Sequence, residues 1–226
     1  MYQQIQNKVH GLLSEIPSNV TIVAAAKTRT AEEITAAISA GIQIIGENYV
    51  QEAEGAINSL GDKARWHFIG HLQLNKVKKA VELFDLIETV DSLELAEAIN
   101  RHAMTAGIIM PILIEVNTAR ETTKHGVLPE HLKNLAESIL KLQNVRLEGL
   151  MAMGPHPESG DLRSCFAETH RLYNQLKTDF PDANIHYLSM GMSDSYQTAI
   201  EEGANLVRLG TAVFGLRPAK PAFPSL

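Results

Sequence analysis

Cysteine is almost missing from this chain: Cys165 is the only one in 226 residues. That excludes an internal disulfide and a cysteine-based metal centre, no metal ligand set is expected, and a reducing compartment, the cytoplasm, is the expected address. Positive charge is also scarce. Lys and Arg number 20 against 26 Asp and Glu, for a formal net charge of -6. With no long basic run to offset that balance, nucleic acid is excluded as the main partner, and Lys76, Lys78 and Lys79 read as a solvated helix face. No apolar stretch reaches the length of a membrane span, and the opening MYQQIQNKVHGLLSEIPSNV has no basic segment followed by an apolar core. No Pro/Gly-rich linker, low-complexity tract or internal repeat divides the chain, so residues 1–226 are expected to form one domain.

What is present is an ordinary globular composition, 45% hydrophobic and 20% charged, arranged in a rhythm. A first helix is expected over residues 3–16, with Ile5, Val9, Leu12, Leu13 and Ile16 on one side and Pro17 after it. Short apolar, β-branched runs then recur at 20–26, 43–45, 67–69, 86–90, 112–116, 146–150, 185–188 and 206–209, too apolar to be half-exposed strands. Helix signals stand between them. Thr30 can cap a helix that stops at Gly41, Asp91 or Ser92 can cap another, and Pro129 suits a first turn. Eight alternations in one chain of this length predict a single (β/α)8 TIM-type barrel with an extra N-terminal helix. An open doubly wound sheet would need a glycine fingerprint after its first strand, and TRTAEE contains no glycine.

In such barrels chemistry sits at the C-terminal ends of the strands, and phosphate is commonly held by the loops after strands seven and eight. Lys27 ends the apolar run IVAAAKT. It either snorkels to water or stands in an apolar pocket, where a neutral amine can attack a carbonyl. Ser189-Met-Gly-Met-Ser193 follows strand seven, ahead of a helix expected over 194–202, and Gly210-Thr211-Ala212 follows strand eight. Glycines admit a ligand close to the backbone, and hydroxyls and free N–H groups suit a phosphate. In NLVRLG, Leu206 and Arg208 share a face. Arg208 there is either ion-paired with a barrel carboxylate such as Glu115 or Glu148, or directed at a ligand. An imine-forming lysine, a phosphate cradle and an inward arginine together suggest a phosphorylated aldehyde.

The stretches VAAAKT, GENYVQEA, WHFIGHLQLNK, ETTKHGV, LEGLMAMGP, LSMGMSDSYQTAIEEGANLVRLGTAVFG and the closing LRP resemble the pyridoxal-phosphate homeostasis protein family, relatives of the N-terminal barrel of alanine racemase. The resemblance spans about residues 20–218. It implies that Lys27 forms a Schiff base with pyridoxal 5'-phosphate, that Ser193, Gly210 and Thr211 bind its phosphate, and that Arg208 faces the pyridine nitrogen. A permanent cation there disfavours a protonated pyridinium, so transamination is not expected. Asn48 and His71, after strands two and three, stand where they can face the cofactor or simply close turns. Lys124 is read as a mobile surface lysine first and a cofactor contact second. Met151 and Met153 are read as packing at the barrel mouth, and Trp66 and His67 as core. Two positions depart from the family pattern: alanine precedes the lysine where serine is common, and Ser195 opens the helix after strand seven.

The resemblance implies an intracellular carrier of pyridoxal phosphate without catalytic turnover, a monomer, with apo-enzymes that use the cofactor as recipients. The alternative is a pyridoxal-phosphate-dependent amino-acid racemase, which needs a proton donor or acceptor on each face of the cofactor. Alanine racemase takes its second base from a further β-domain, and the tail 218–226 is too short to form one; Tyr49, Tyr187 and Tyr196 are the substitutes to be weighed. A Schiff-base aldolase is a distant third, because nothing beside Lys27 reads as its acid or base.

Overall fold

The computed structural model describes residues 2–155 and 161–216. Arg217 and Pro218 of the LRP motif, and the tail after them, lie outside the described residues. The eight strands are β1 (Thr21–Ala25), β2 (Ile44–Glu47), β3 (Arg65–Phe68), β4 (Leu86–Val90), β5 (Met110–Glu115), β6 (Val145–Met151), β7 (Tyr187–Ser189) and β8 (Leu206–Leu209). Each pairs in parallel with the next, and β8 pairs with β1 to close the barrel. The expected (β/α)8 barrel is therefore the fold, with two of the eight predicted runs, β4 and β8, matching to the residue.

Helices α1 (Tyr2–Glu15), α2 (Ala31–Ser39), α3 (Val50–Leu60), α4 (Val77–Leu83), α5 (Leu93–Ala106), α6 (Leu132–Ile139), α7 (Leu162–Asp179), α8 (Tyr196–Glu201) and α9 (Thr211–Phe214) cover the outside. The extra helix has a structural reason. α9 is a single turn, too short to cover the seam between β8 and β1, and α1 packs against both α2 and α9 with Ile5, Val9 and Leu12 buried. Thr30 caps α2 as expected, in a full capping box with Glu33. The helix after β7 starts later than predicted, at Tyr196 rather than Asp194. The Ser195 hydroxyl accepts from the Met192 N–H at 3.0 Å, and the Ser195 N–H donates to the Met192 carbonyl at 2.9 Å, so residues 192–195 close a turn first.

Most of the apolar core lies between the barrel and its helices. Inside the barrel, Val23, Ile44, Ile69 and Leu206 form one small cluster and Leu86, Leu113 and Met151 another. Gly149 lets two strands approach at this level: a Cβ there would stand 1.9 Å from the Tyr187 carbonyl oxygen. A cavity of about 1040 Å³ opens at the N-terminal face, lined in part by Thr21, Arg65, Asp85 and Tyr187, and none of the candidate cofactor-binding residues reaches it.

Glu47, the last residue of β2, is 2% exposed, and its Oε2 has no hydrogen-bond partner. Burial first, and then the charge of Glu52, push its carboxyl up to about 7, against the Asn48 backbone N–H. The folded state therefore holds a proton that the unfolded chain releases near pH 4.5, and stability falls as pH rises from about 4.5 to 7. Glu47→Gln should leave stability nearly unchanged at pH 4 and raise it at pH 8 by up to roughly 3 kcal/mol. Urea unfolding at the two pH values measures the difference, and an equal effect at both would refute the assignment.

Candidate functional site

Lys27 follows the strand-one pairing by one residue. Beyond β1, the Ala26 N–H still donates to the Gly46 carbonyl at 2.8 Å, and a turn closes where the Arg29 N–H donates to the Ala26 carbonyl at 2.8 Å. The turn holds Thr28 at φ +64°, which costs a β-branched residue about 1–2 kcal/mol. Its N–H donates to Glu52 Oε2 at 3.2 Å, which helps hold it there. Val23 and Ala25 belong to the interior cluster, and the period of two carries Lys27 to the same side. Its Nζ lies 4.9 Å from the centre of the Tyr49 ring. Lys27 makes no ion pair or hydrogen bond with another described residue. A half-buried primary amine is thus held at the barrel mouth against an aromatic face, without a carboxylate partner among the described residues.

The loops after β7 and β8 are latched to each other by the expected serine. Ser193 Oγ accepts from the backbone N–H groups of both Gly210 and Ala212, each at 3.0 Å. Gly210 sits beside strand one, since a Cβ there would lie 3.6 Å from the Ala25 carbonyl oxygen. Gly191 supplies the bend between Ser189 and Ser193: its φ is +87°, and a side chain would strike Ala199 at 2.6 Å and Tyr196 Cα at 2.9 Å. Thr211 follows Gly210 with its side chain exposed. The Gly210 and Ala212 N–H groups are thus engaged by Ser193 Oγ, and the hydroxyl hydrogens of Ser193 and Thr211 are the donors left next to the end of the lysine strand. That donor set can bind an oxyanion.

Arg208 is 3% exposed, and both of its terminal nitrogens are engaged. It donates through Nη1 to Ser189 Oγ at 2.5 Å and through Nη2 to the Ala152 carbonyl at 2.9 Å and Met153 Sδ at 3.4 Å. Ser189 in turn donates to Glu88 Oε2 at 2.6 Å, and Glu88 Oε1 lies 2.8 Å from His67 Nδ1. Arg208 Nη1 is 3.9 Å from the same Glu88 carboxylate. Burial pushes the Glu88 carboxyl up, but the His67 hydrogen bond and the charges of His67 and Arg208 outweigh it, so its pKa is lowered. An ionised carboxylate only accepts, which places a hydrogen on His67 Nδ1. Burial lowers the Arg208 pKa against the pull of Glu88 and Glu115.

The carboxylate that serves Arg208 is thus Glu88, and neither of the two expected ones hydrogen-bonds to it. The register between β5 and β6 shifts between Ile112–Leu147 and Leu113–Gly149, so Glu148 is the extra residue of a bulge. Its carboxylate turns to Arg146 at 2.6 Å and His186 at 3.8 Å. Glu115 is buried and acts on Arg208 only through charge. Burial and then the charge of Asp91 push its carboxyl up to about 7, and Arg208 opposes them. His67 is likewise more than core, being one end of this chain. The signal for Glu88 was legible, a carboxylate inside the apolar strand LIETV; Ser189 and His67 carried none.

The remaining candidates separate into two places. Asn48 meets loop three through its backbone: a Cβ on Gly70 would lie 2.2 Å from the Asn48 carbonyl oxygen, and the Asn48 side chain has no hydrogen-bond partner among the described residues. His71 is exposed and stacks on His125 with ring centres 3.7 Å apart, on the side of loops four and five. Lys124 is half-buried, and its Nζ donates to the Gly154 carbonyl at 2.6 Å and to Glu121 at 3.3 Å, tying its loop to the one after β6. Among the tyrosines, Tyr196 donates to Glu15 on α1 and Tyr187 lines the cavity at the opposite face, which leaves Tyr49 beside the lysine.

The model of the alanine racemase N-terminal domain family matches residues 2–218. A pyridoxal phosphate homeostasis protein of Aquifex aeolicus is 42% identical over 198 residues, covering 87% of this chain and 86% of that protein. One of Pasteurella multocida is 38% identical over 221 residues and 95% of each chain. The structure of PipY of Synechococcus elongatus PCC7942, solved with PLP bound, superimposes with a TM-score of 0.86 at 34% identity, covering 93% of this chain and all of that one. Barrel, latched loops and these relatives agree, and the chain belongs to the pyridoxal phosphate homeostasis protein family, within the larger family of alanine racemase N-terminal domains.

Proposed function

We propose that this protein binds pyridoxal 5'-phosphate at the C-terminal mouth of the barrel and holds it in reserve without turning over a substrate. The observation that carries this reading is the amine of Lys27, without an ion pair or hydrogen bond to another described residue, at the same mouth as the hydroxyls of Ser193 and Thr211 on two latched loops. When bound, the cofactor supplies an aldehyde carbon, a phosphate and an electron-withdrawing ring. Lys27 holds the aldehyde carbon covalently. Ser193, Gly210 and Thr211 hold the phosphate. Arg208 stays protonated within its hydrogen bonds and opposes a proton on the ring nitrogen, which keeps the ring a weak electron sink. Asn48 and His71 form the rim. The names of the relatives and the PLP in the PipY structure support the same reading.

The chain acts as one domain over residues 1–226, as a cytoplasmic monomer that releases cofactor to apo-enzymes. The reading without turnover is supported by a shortage of second bases: of the three tyrosines weighed, only Tyr49 lies near Lys27, with the Lys27 Nζ 4.9 Å from the centre of its ring. The direct test is to add pyridoxal phosphate, reduce with borohydride and map the peptides. One phosphopyridoxyl group on Lys27 is expected, whereas label scattered over surface lysines would overturn the site. Deuterium exchange at the α-carbon of added amino acids should stay at background, and rapid exchange would establish a racemase.

The phosphate donors are tested separately. Changing Ser193 and Thr211 together to Ala should weaken pyridoxal phosphate by on the order of 100-fold, the loss of two hydrogen bonds to a charged group. Pyridoxal, which lacks the phosphate, should bind about as it does to the parent. Equal losses for the two ligands would show that these hydroxyls only hold the loops.

A further inference from the structure

A second donor set stands on the same face, built from three consecutive loops. His71 follows β3, Asp91 follows β4 and His125 lies in the long loop after β5. One ligating atom from each lies within 4.8 Å of the other two. The imidazoles are near-parallel, 11° apart, and exposed, and neither hydrogen-bonds to another described residue. Their ring nitrogens are therefore open to a ligand from solvent.

The loop that carries His125 is braced rather than loose. The Asn117 N–H donates to the Val127 carbonyl and the Val127 N–H to the Glu115 carbonyl, each at 2.9 Å, which closes the loop at its base. Inside it, the Asn117 side-chain amide donates to the carbonyls of Glu121 at 2.9 Å and Lys124 at 3.3 Å. The Gly126 N–H, next to His125, is directed at Asp91 Oδ2 at 3.5 Å. Gly126 has φ +109°, and a side chain there would come within 2.9 Å of the Asn117 nitrogen. Glycine at this position lets the chain fold back far enough to present His125 beside Asp91.

We infer that His71, Asp91 and His125 form a binding site for one divalent transition-metal ion of the Zn²⁺ class, its remaining positions taken by water. Two imidazoles and one carboxylate suit such an ion, whereas Mg²⁺ and Ca²⁺ prefer oxygen donors throughout. Metal–donor distances of about 2.0–2.2 Å place tetrahedral ligands roughly 3.4 Å apart, so donors already within 4.8 Å reach the ion by side-chain rotation. The ion would cross-link the loops after β3, β4 and β5, including the one in which Lys124 holds Gly154. The set is independent of Lys27 and the Ser193 latch and shares only His71 with the proposed cofactor rim.

Calorimetric titration of the full chain with ZnCl₂ and with MgCl₂ tests the site. One saturable Zn²⁺ per chain and no saturable Mg²⁺ are expected. Asp91→Asn and His125→Ala should each weaken Zn²⁺ by on the order of 10- to 100-fold with an unchanged far-ultraviolet circular dichroism spectrum. A measurement that needs no variant is the electron paramagnetic resonance spectrum of the parent protein with one equivalent of Cu²⁺, which should show splitting from two imidazole nitrogens. No saturable Zn²⁺, unchanged Zn²⁺ affinity in both variants, or a Cu²⁺ spectrum without two nitrogen ligands would each overturn the proposal.

Discussion

Lys27→Ala should abolish the covalent cofactor adduct altogether, with no visible absorbance band and no borohydride-trapped label, while leaving the barrel intact. The effect is all-or-none because a Schiff base needs a primary amine and alanine has none. The fold should tolerate the change: Lys27 lies beyond the end of β1, makes no ion pair or hydrogen bond with a described residue, and contributes only its contact with the Tyr49 ring. Non-covalent binding should survive in part through the loops that carry Ser193 and Gly210. Lys124 offers the competing outcome. Its Nζ is engaged with Gly154 and Glu121, so label retained in Lys27→Ala and mapped to Lys124 would move the covalent site to the other loop.

Glu88→Gln should cost stability on the scale of about 3–5 kcal/mol in urea unfolding at pH 7, the usual result of stripping one partner from a buried ion pair. Glutamine keeps the shape, but Ser189 and His67 meet different oxygens of Glu88, so its single carbonyl oxygen can accept from only one of them. It removes the negative charge from a site that is wholly buried and leaves Arg208 with only the charge of Glu115 to offset it inside the barrel. The double variant Glu88→Gln with Arg208→Met should recover much of the loss, because the buried charge is then gone as well. The pH dependence has a definite sign. The Glu88 pKa is lowered on folding, so its contribution is present above the unfolded value near 4.5 and disappears as pH falls through the folded one. A loss in Glu88→Gln that the Arg208 change does not relieve would show that packing, rather than charge, sets the requirement.

Glu47 runs in the opposite direction. Its carboxyl is raised on folding, so the protein loses stability between about pH 4.5 and 7 where the Glu88 pair has become fully effective. The two carboxylates are both almost completely buried and differ only in what faces them. Glu88 meets Ser189, His67 and Arg208, whereas Glu47 meets the charge of Glu52 and has one oxygen without a partner.

Much of the architecture was legible because it depends on local periodicity. The apolar runs at 86–90 and 206–209 became β4 and β8 without adjustment, and Thr30 capped α2 because a threonine three residues before a glutamate satisfies two backbone N–H groups wherever that helix lies. Lys27, Ser193, Gly210 and Thr211 were locatable for a related reason: in a closed parallel barrel, position along the chain decides which end of the strand a residue occupies. The helix after β7 was misplaced by two residues because Ser195 can cap or turn, and its hydrogen bonds with Met192 decide between them.

The pairing of groups across the barrel was not legible. Arg208 on β8 and Glu88 on β4 are brought together only by closure, with Ser189 from β7 between them, and no spacing along the chain encodes that choice. The rival carboxylate Glu148 was removed from consideration by a one-residue bulge, a register detail that depends on how β5 and β6 pair. His71, Asp91 and His125 come from three different loops, and their convergence depends on Gly126 folding the third loop back. By itself the sequence determined the barrel and the ends of the strands where chemistry can sit, because these follow from patterns within a few residues. Only the tertiary structure decided which buried charge neutralises which, because that is set by distances between strands that the chain order leaves open.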